Sequence, residues 1–438
     1  MRRLFTYLLR IDVFRVSSFN AVSVLLRLVF SYATNKVIVL WLGPAGTALT
    51  EQLRNGIQGL QGLSTLGISE AITRYTSLYR RRDRRLRLFI VRSGRLILAV
   101  AAALGLLTWL LAPRLAVYLL HDARYVPLIR VIGFLTPVYA YQVLLTAILN
   151  GLEQYKKLSY INILIHATGF LLTLWLVHTH WMWGALWAVA LTPVAAFFLS
   201  WFLLDRSDLA LLRAPLQHSA EKLPYFGRRI WPFVSMALVS AVMIPLVTIW
   251  IRNRIIDDYG PQGMVWAGYW DAVRKISAFY FMFITPVFAM HYFPRLSRAG
   301  DLSAWRRELG QMLRYFYPLV LAGLILIYLF RDGITRFVFS KQYLPVNDLY
   351  AWQLGGDAIR LFSLLLAYRM WAKALMWHYL FAEISYWLFY GALGAYFLSV
   401  RGLAGLMEAY VWANAYYAVL MLIYFGDVFL AGRSGNAR

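Results

Sequence analysis

The sequence predicts an all-α integral membrane protein of about twelve transmembrane helices in two six-helix lobes. Two observations lead to this fold class. The 438-residue chain is 61% hydrophobic and 15% charged, whereas a typical soluble domain carries about 25% charged residues. Apolar segments of the ~20 residues that span a bilayer also recur along the whole chain. Lipid is therefore the solvent that this composition requires.

Turn signals and charge clusters divide the chain into the predicted spans. The polar stretch at 205–225 falls near the middle and is predicted to be a cytoplasmic linker between lobes at 1–204 and 226–438. Two equal helical halves are common in transporters. The spans are 16–42, 46–79, 89–112, 126–151, 158–178, 183–204, 226–251, 264–293, 312–330, 347–370, 374–399 and 403–430.

The distribution of basic residues predicts the topology. Of the 44 Lys and Arg, 28 fall in loops on the side of the termini and 9 in the opposite loops, which include 252–254. Loops rich in Lys and Arg stay in the cytoplasm, so both termini are expected there. The densest cluster, the arginines between 80 and 87, is expected to set topology and contact anionic headgroups, with recruitment of an anionic lipid as the alternative.

Composition also excludes several classes of function. The net charge of +24 would suggest nucleic acid in a soluble protein, but the cytoplasmic bias explains it here, so no nucleic acid is expected. Cysteine is absent, and His166, His178 and His180 have no convincing metal spacing, so no metal and no cofactor are expected. No phosphate-binding glycine loop with lysine is present. We expect a transporter rather than an enzyme.

The first predicted span carries a polar stripe on one helical face. Arg27 lies at its centre, and its neighbours follow at spacings of three or four residues. A charge at bilayer depth is costly and usually faces a water-filled cavity. The alternative is a helix–helix contact, where Ser and Thr also gather. The stripe consists of Asn20, Ser23, Arg27, Ser31 and Thr34.

The second span repeats the pattern with Glu51, Arg54, Gln58 and Gln61. Interleaved glycines allow close helix packing. Arg54 is predicted to line the same cavity, together with Gln58 and Gln61. The alternative is that Glu51 and Arg54, three residues apart, only neutralise each other.

The eighth span contains Asp271, Arg274 and Lys275. One acid cannot neutralise two bases, so a cation is left over for an anionic ligand. The planar guanidinium suits phosphate in particular. The alternatives are a partner on another helix and a side chain that snorkels to the interface.

The remaining intramembrane charges are candidates for coupling to an ion gradient. Gln353, Asp357 and Arg360 fall on one face of the tenth span. Asp357 and Arg360 could form a buried structural ion pair. The alternative is that Asp357 titrates or binds a cation during transport. Glu383 and Glu408 are weaker candidates, since either could lie near a helix end in water.

Three stretches resemble the Wzx-type flippases of lipid-linked oligosaccharides. They are WLGPAGTALTEQLRNGIQGLQGLSTLGISEAITRYTS at 41–77, FPRLSRAGDLSAWRREL at 293–309 and LYAWQLGGDAIRLFSLLLAYRMWAKA at 349–374. The last is the most specific, and it resembles the branch that moves the lipid-linked unit of enterobacterial common antigen. The similarity runs through nearly the whole chain in order.

The resemblance implies membership of the multidrug/oligosaccharidyl-lipid/polysaccharide (MOP) exporter superfamily. It implies two six-helix lobes around a central cavity and alternating access. The substrate is expected to be an undecaprenyl-pyrophosphate oligosaccharide of the common-antigen or O-antigen type, moved to the periplasmic leaflet of a bacterial inner membrane. The expected diphosphate ligands are Arg27, Arg54, Arg274 and Lys275, and the expected cavity-lining residues are Asn20, Ser31, Gln58, Gln61, Asp271, Gln353 and Arg360.

Other partners and functions remain open at this stage. Besides the polyprenyl-diphosphate oligosaccharide, membrane lipids are expected to bind, the family suggests a periplasmic polymerase and a chain-length regulator, and a monomer is the expected functional form. A multidrug exporter of the same superfamily is one alternative. A lipid II flippase is another, although those proteins crowd two arginines on the first helix and Arg27 has no such neighbour. A membrane scaffold and a glycosyltransferase are the remaining ones.

Overall fold

The computed structural model describes residues 12–79, 83–213, 226–288, 292–298 and 301–430. These residues are almost entirely helical, and seven continuous helical stretches among them are long and apolar enough to cross a membrane. Their outer surfaces expose large apolar side chains such as Phe134, Phe202 and Ile423. Exposure of this kind requires lipid rather than water around the helices. The predicted all-α membrane fold is confirmed.

Three of the long helices change direction at a single residue with positive φ. Gly43 (φ 65°), Trp181 (φ 50°) and Gly402 (φ 64°) interrupt helices that otherwise continue. Glycine adopts this backbone conformation without strain, whereas an aromatic residue rarely does. Dividing the described helices there leaves twelve long segments: 12–42, 44–64, 83–110, 126–151, 155–180, 182–200, 226–259, 263–287, 312–329, 350–372, 376–401 and 403–425.

The helices form two compact units. The N-terminal unit comprises residues up to Leu42 and Leu49–Pro245, and the C-terminal unit comprises Gly43–Ala48 and Leu246 onward. The predicted boundary at 205–225 stays a prediction, and residues 214–225 lie outside the described part of the chain. So do Arg80, Arg81 and Arg82 of the basic cluster.

The N-terminal unit packs around the helix Val126–Gly151. Two groups of buried apolar side chains hold it, one around Leu144, Leu145 and Ile148 and the other around Leu128 and Tyr139. Its helices, in chain order, are α1 Asp12–Ser64, α2 Ser69–Tyr79, α3 Asp83–Leu110, α4 Ala112–Leu120, α5 Val126–Gly151, α6 Tyr155–Ser200, α7 Arg206–Arg213 and the first part of α8 Phe226–Tyr259.

The C-terminal unit is built on the contact between two helices, Tyr350–Ala372 and Met376–Phe425. A π-helical turn at Met312–Phe316 joins two of its helices. After the end of α8 its helices are α9 Gly263–Val287, α10 Phe293–Arg298, α11 Leu302–Gln311, α12 Tyr317–Leu329, α13 Arg331–Val338, α14 Tyr350–Ala372, α15 Met376–Phe425 and α16 Asp427–Leu430.

Two sequence predictions about helix ends were wrong. The second span is not one helix over 46–79, because turns at 65–68 separate α1 from α2. Gly67 (φ 63°) lies so close to the backbone of α8 that a Cβ would be 2.5 Å from the Leu238 nitrogen. Arg252 is not in a loop, because α8 continues to Tyr259 and buries that side chain completely.

Candidate functional site

The first cationic group lies in the N-terminal unit, where α1 packs against α6. Ser23 on α1 donates a hydrogen bond to the Ser159 carbonyl (3.5 Å), and the Ser31 hydroxyl lies 3.0 Å from Nδ1 of His166. Two members of the predicted polar stripe therefore make helix–helix contacts. The side chain of Asn20, also in that stripe, lies outside the described part of the structure.

Arg27 lies between these two contacts on the same helix. Its side chain is half-buried, and its Nε atom is buried with no hydrogen-bond partner among the described residues. Both Arg27 and Arg54 are close enough to His166 to act electrostatically on the imidazole ring. Both guanidinium groups therefore act on the same ring, although the bend at Gly43 lies between the two arginines on α1.

Arg54 and Glu51 form the ion pair that the sequence allowed. The Arg54 Nη1 atom lies 2.7 Å from Glu51 Oε1, and the two side chains are 36% and 16% exposed. Gln58, one turn on, is exposed, and Gln61 is half-buried. Arg54 keeps the larger exposed surface of the pair, so its remaining donors are accessible to a ligand.

The second cationic group lies in the C-terminal unit, where α8 packs against α9. Arg252 donates from Nε and Nη2 to both carboxylate oxygens of Asp271, at 2.9 and 2.6 Å. Both side chains are buried. The Arg274 Nη1 atom approaches the same carboxylate only to 3.7 Å, and its side chain is 33% exposed. The Asp271 carboxylate therefore binds mainly Arg252, which was not among the predicted site residues.

Trp270 holds the two arginines of this group in place. The guanidinium carbons of Arg252 and Arg274 lie 5.4 and 4.4 Å from the centre of its ring, which is within the range of cation–π attraction. Lys275 follows on α9 and is half-buried. Two arginines thus approach one carboxylate, and Arg274 remains partly exposed beside an acid that Arg252 already binds. A helical reading of α8 through residue 252 could have found Arg252.

Asp357 lies among polar side chains from three helices of the C-terminal unit. Its side chain is completely buried, and it accepts hydrogen bonds from Ser277 at 2.5 Å, from Gln353 at 3.1 Å and from Tyr410 at 2.7 Å. Tyr280 donates a further one. These donors come from α9, α14 and α15, and all are neutral. Hydrogen bonds from neutral donors stabilise a buried carboxylate without cancelling its charge.

The predicted pair of Asp357 and Arg360 is not a direct contact. Arg360 is exposed and donates to the Tyr410 hydroxyl at 3.5 Å, while that hydroxyl donates to Asp357. The guanidinium also lies over the Phe281 ring at 5.2 Å. Tyr410 therefore stands between a buried acid and an exposed base, and the sequence contains no signal for this link.

The two other candidate carboxylates have partners of their own. Glu408 binds Arg401 at 2.6 Å beside the bend at Gly402, as expected for an acid near a helix end. Glu383 accepts a hydrogen bond from the Trp387 indole at 3.0 Å. No group of three metal-ligating side chains is found within the described ranges.

The fold belongs to a known class of membrane transporter. A multidrug resistance MATE family transporter of the MOP superfamily, in an inward-facing conformation, superimposes with a TM-score of 0.72 at 15% identity, covering 94% of this chain and 96% of that one. A MOP superfamily transporter from Pyrococcus furiosus, described as having a binding pocket of reverse polarity, gives a TM-score of 0.69 at 14% identity over 95% of each chain. The described helices of this protein therefore have the fold of these MOP-superfamily membrane transporters.

Sequence comparison adds a more specific relative. The lipid III flippase of Escherichia coli (strain K12) is 26% identical over 401 residues, which cover 91% of this chain and 94% of that protein. The lipid III flippase of Shigella flexneri matches to the same extent. No family model matches the chain.

Proposed function

We propose that this protein is a flippase that moves an undecaprenyl-pyrophosphate-linked oligosaccharide, of the common-antigen or O-antigen repeat-unit type, from the cytoplasmic to the periplasmic leaflet by alternating access. Similarity to a lipid III flippase over 91% of the chain supports this proposal. The observation that carries it is the surplus of partly exposed guanidinium groups at membrane depth in each helical unit.

The cationic groups have the chemistry that a diphosphate needs. Arg54 and Arg274 are about one-third exposed although a carboxylate lies beside each, and Arg27 has a buried Nε atom without a partner among the described residues. Guanidinium groups bind phosphate oxygens through two parallel hydrogen bonds. Arg27, Arg54, Arg274 and Lys275 are therefore the proposed diphosphate ligands, with Ser31, Gln58, Gln61 and Arg360 as polar neighbours for the glycan.

Asp357 is the proposed coupling residue. A transported ion or proton must change the relative free energies of the inward-open and outward-open states. A fully buried carboxylate surrounded by neutral donors can accept a proton or a monovalent cation in one state and release it in the other. Glu383 and Glu408 are less suited, because the indole of Trp387 and the Arg401 guanidinium already bind them.

A multidrug exporter is the second candidate, because MATE transporters have this fold. An exporter of organic cations needs acidic groups that are accessible to its substrate. Asp357 is completely buried and Asp271 is bound by Arg252, so neither carboxylate is accessible to a bulky organic cation. A lipid II flippase is a further candidate. Its substrate has the same diphosphate as the proposed one and differs in the headgroup beyond the phosphates. An assay with both lipids separates those two candidates.

The proposal also covers location and assembly. We propose that both termini lie in the cytoplasm, on the distribution of Lys and Arg, and that the protein lies in a bacterial inner membrane, on its resemblance to the Wzx-type flippases. A monomer is the proposed transporting unit, and a periplasmic polymerase and chain-length regulator are the proposed consumers of the flipped substrate.

The test is a leaflet-transfer assay with purified protein in liposomes. A fluorescent polyprenyl-diphosphate oligosaccharide is incorporated, and its movement across the bilayer is followed with an impermeant quencher. Wild type is compared with Arg27→Ala, Arg54→Ala and Arg274→Ala, and with Arg124→Ala as the control. Arg124 is 80% exposed and pairs with Asp122 in a loop, so its removal should not affect the membrane-depth cations.

We expect wild type and Arg124→Ala to move the lipid and the three other variants to be slower, with a lipid lacking the diphosphate moved by none of them. Transfer by wild type that is unchanged in all three arginine variants would remove these residues from the site. No transfer by wild type, with or without an imposed proton or sodium gradient, together with export of cationic drugs, would replace the flippase by the exporter.

A further inference from the structure

The α1–α6 contact contains a histidine that faces two arginines instead of an acid. His166 lies in the middle of the first half of α6, and its Nδ1 atom is 3.0 Å from the Ser31 hydroxyl. Arg27 precedes Ser31 by one helical turn on the same face of α1, and Arg27 and Arg54 are the charged groups that act on the ring. A neutral imidazole adds no further positive charge beside these two guanidinium groups.

The Ser31 contact determines how a neutral His166 can act. A neutral imidazole has one N–H donor and one acceptor nitrogen, and the tautomer follows from the bond that the other nitrogen makes. When Ser31 donates to Nδ1, the proton of the ring is on Nε2. In that tautomer the Nε2–H group is available as a donor, because the described residues offer His166 no hydrogen bond other than the one to Ser31.

The surrounding cations indicate which ligand this donor would meet. Arg27 contributes a buried Nε atom without a partner among the described residues, and Arg54 contributes a partly exposed guanidinium. Arg27, Arg54 and His166 thus each contribute N–H groups in the N-terminal unit, where Arg54 also pairs with Glu51. A ligand with several anionic oxygens, such as a diphosphate, would satisfy all three donors.

We propose that His166 is a further ligand of the transported headgroup, donating its Nε2–H to a phosphate oxygen that Arg27 and Arg54 also bind, and that Ser31 positions the ring for this role. This inference rests on the proposed flippase function. A neutral donor adds a hydrogen bond without adding charge, so it strengthens recognition of phosphate oxygen while leaving net electrostatic attraction unchanged. A transporter must also release its substrate, so the headgroup must not be bound too tightly in the state that releases it.

The matched control is another histidine on the same helix. His178 lies on α6 but is exposed, with its ring 5.5 Å from that of Trp41. His178→Ala therefore removes the same side chain from the same helix at a distance from the two arginines. His166→Gln is the conservative variant, because its amide can donate a hydrogen bond in place of the imidazole. Ser31→Ala tests the positioning contact.

Binding of undecaprenyl diphosphate is measured with the full-length protein in nanodiscs, and inorganic pyrophosphate is the second probe. Wild type, His166→Ala, His166→Gln, Ser31→Ala and His178→Ala are compared by affinity and by thermal unfolding. Removing one hydrogen bond to a charged group should weaken binding about tenfold or more. We expect that loss for His166→Ala, a smaller loss for Ser31→Ala, recovery in His166→Gln and no change for His178→Ala.

Modification of histidine by diethyl pyrocarbonate, read by mass spectrometry, supplies a second measurement on the wild-type protein. Saturating undecaprenyl diphosphate should protect His166 and leave His178 reactive. Protection by pyrophosphate alone would show that the phosphates suffice, whereas protection only by the lipid would show that the polyprenyl chain is needed to bring them there.

The outcomes distinguish this inference from the function on which it rests. Binding that depends on Arg27 and Arg54 but not on His166, with no protection of that ring, would overturn the histidine assignment and leave the flippase intact. Binding by neither probe, with no lipid transfer by wild type, would overturn both. A folded His166→Ala variant with wild-type affinity is decisive even if Ser31→Ala unfolds.

Discussion

At the scale of single residues, two buried acids in the C-terminal unit are satisfied in different ways. Asp271 is neutralised by the bidentate contact with Arg252, whereas Asp357 is surrounded by neutral hydroxyl and amide donors. A buried ion pair is a permanent structural contact. A carboxylate held only by neutral donors keeps its charge available for exchange. This difference is the reason why we propose a structural role for Asp271 and a coupling role for Asp357.

Replacing Asp357 by Asn is therefore expected to abolish the response of transport to an ion gradient. The substitution keeps the size of the side chain but removes its charge, so no proton or cation can be exchanged. The measurement is the ratio of initial transfer rates with and without an imposed proton or sodium gradient. Glu408→Gln is the control, since that acid is paired with Arg401. An unchanged ratio in Asp357→Asn would contradict the coupling role.

Replacing Arg252 by Ala is expected to lower the stability of the folded protein. It leaves the Asp271 carboxylate buried without its partner, and breaking a buried ion pair costs about 3–5 kcal/mol. Thermal unfolding in detergent checks this. The double variant Arg252→Ala with Asp271→Asn should recover part of the loss, because the uncompensated charge is gone. Equal unfolding temperatures for wild type and Arg252→Ala would show that the pair contributes nothing.

At the scale of helices, close approach between α14 and α15 positions the Tyr410 hydroxyl on Asp357. The Cα of Gly356 faces the Tyr410 ring so closely that a Cβ would lie 2.5 Å from the Cδ1 atom, while a Cβ on Gly355 would meet nothing within 4 Å. The small residue thus fixes the distance between the helices, and with it the link from Asp357 through Tyr410 to Arg360.

The adjacent glycines provide a matched pair of variants. Gly356→Ala should push the Tyr410 ring away from Asp357, cost about 1–3 kcal/mol through overpacking and reduce transport. Gly355→Ala should leave transport unchanged and stabilise the helix by up to about 1 kcal/mol. Unfolding temperature and leaflet transfer are the two readouts. Identical behaviour of the two variants would mean that the Tyr410 contact does not matter.

At the scale of the whole molecule, the predicted topology rests on charge counting alone and can be tested directly. The chain contains no cysteine, so single cysteines can be introduced without removing native ones. Ser207 on α7 and Gly333 on α13 are both exposed and fall on opposite predicted sides. In intact spheroplasts, an impermeant maleimide should label Gly333→Cys and should label Ser207→Cys only after the membrane is permeabilised. The reverse pattern would invert the predicted orientation.

The sequence alone determined the all-α membrane fold, the two helical units and the transporter class, because hydropathy and helix length report directly on a solvent of lipid. It also identified Arg27, Arg54, Asp271 and Asp357 as unusual, since a charge at bilayer depth is costly wherever it lies. It did not identify their partners. Arg252 was read as a loop residue, and His166 and Tyr410 carried no distinguishing pattern.

Only the tertiary structure decided which side chains meet. Helical spacing tells which residues share a face of one helix, but the contacts of Asp271 with Arg252, of Ser31 with His166 and of Tyr410 with Asp357 join residues on different helices or on distant parts of the chain. Packing of apolar surfaces and the close approach allowed at glycines set those pairings. The pattern of charges therefore predicts that a polar site exists, whereas helix packing determines which acids are neutralised and which cations remain for a ligand.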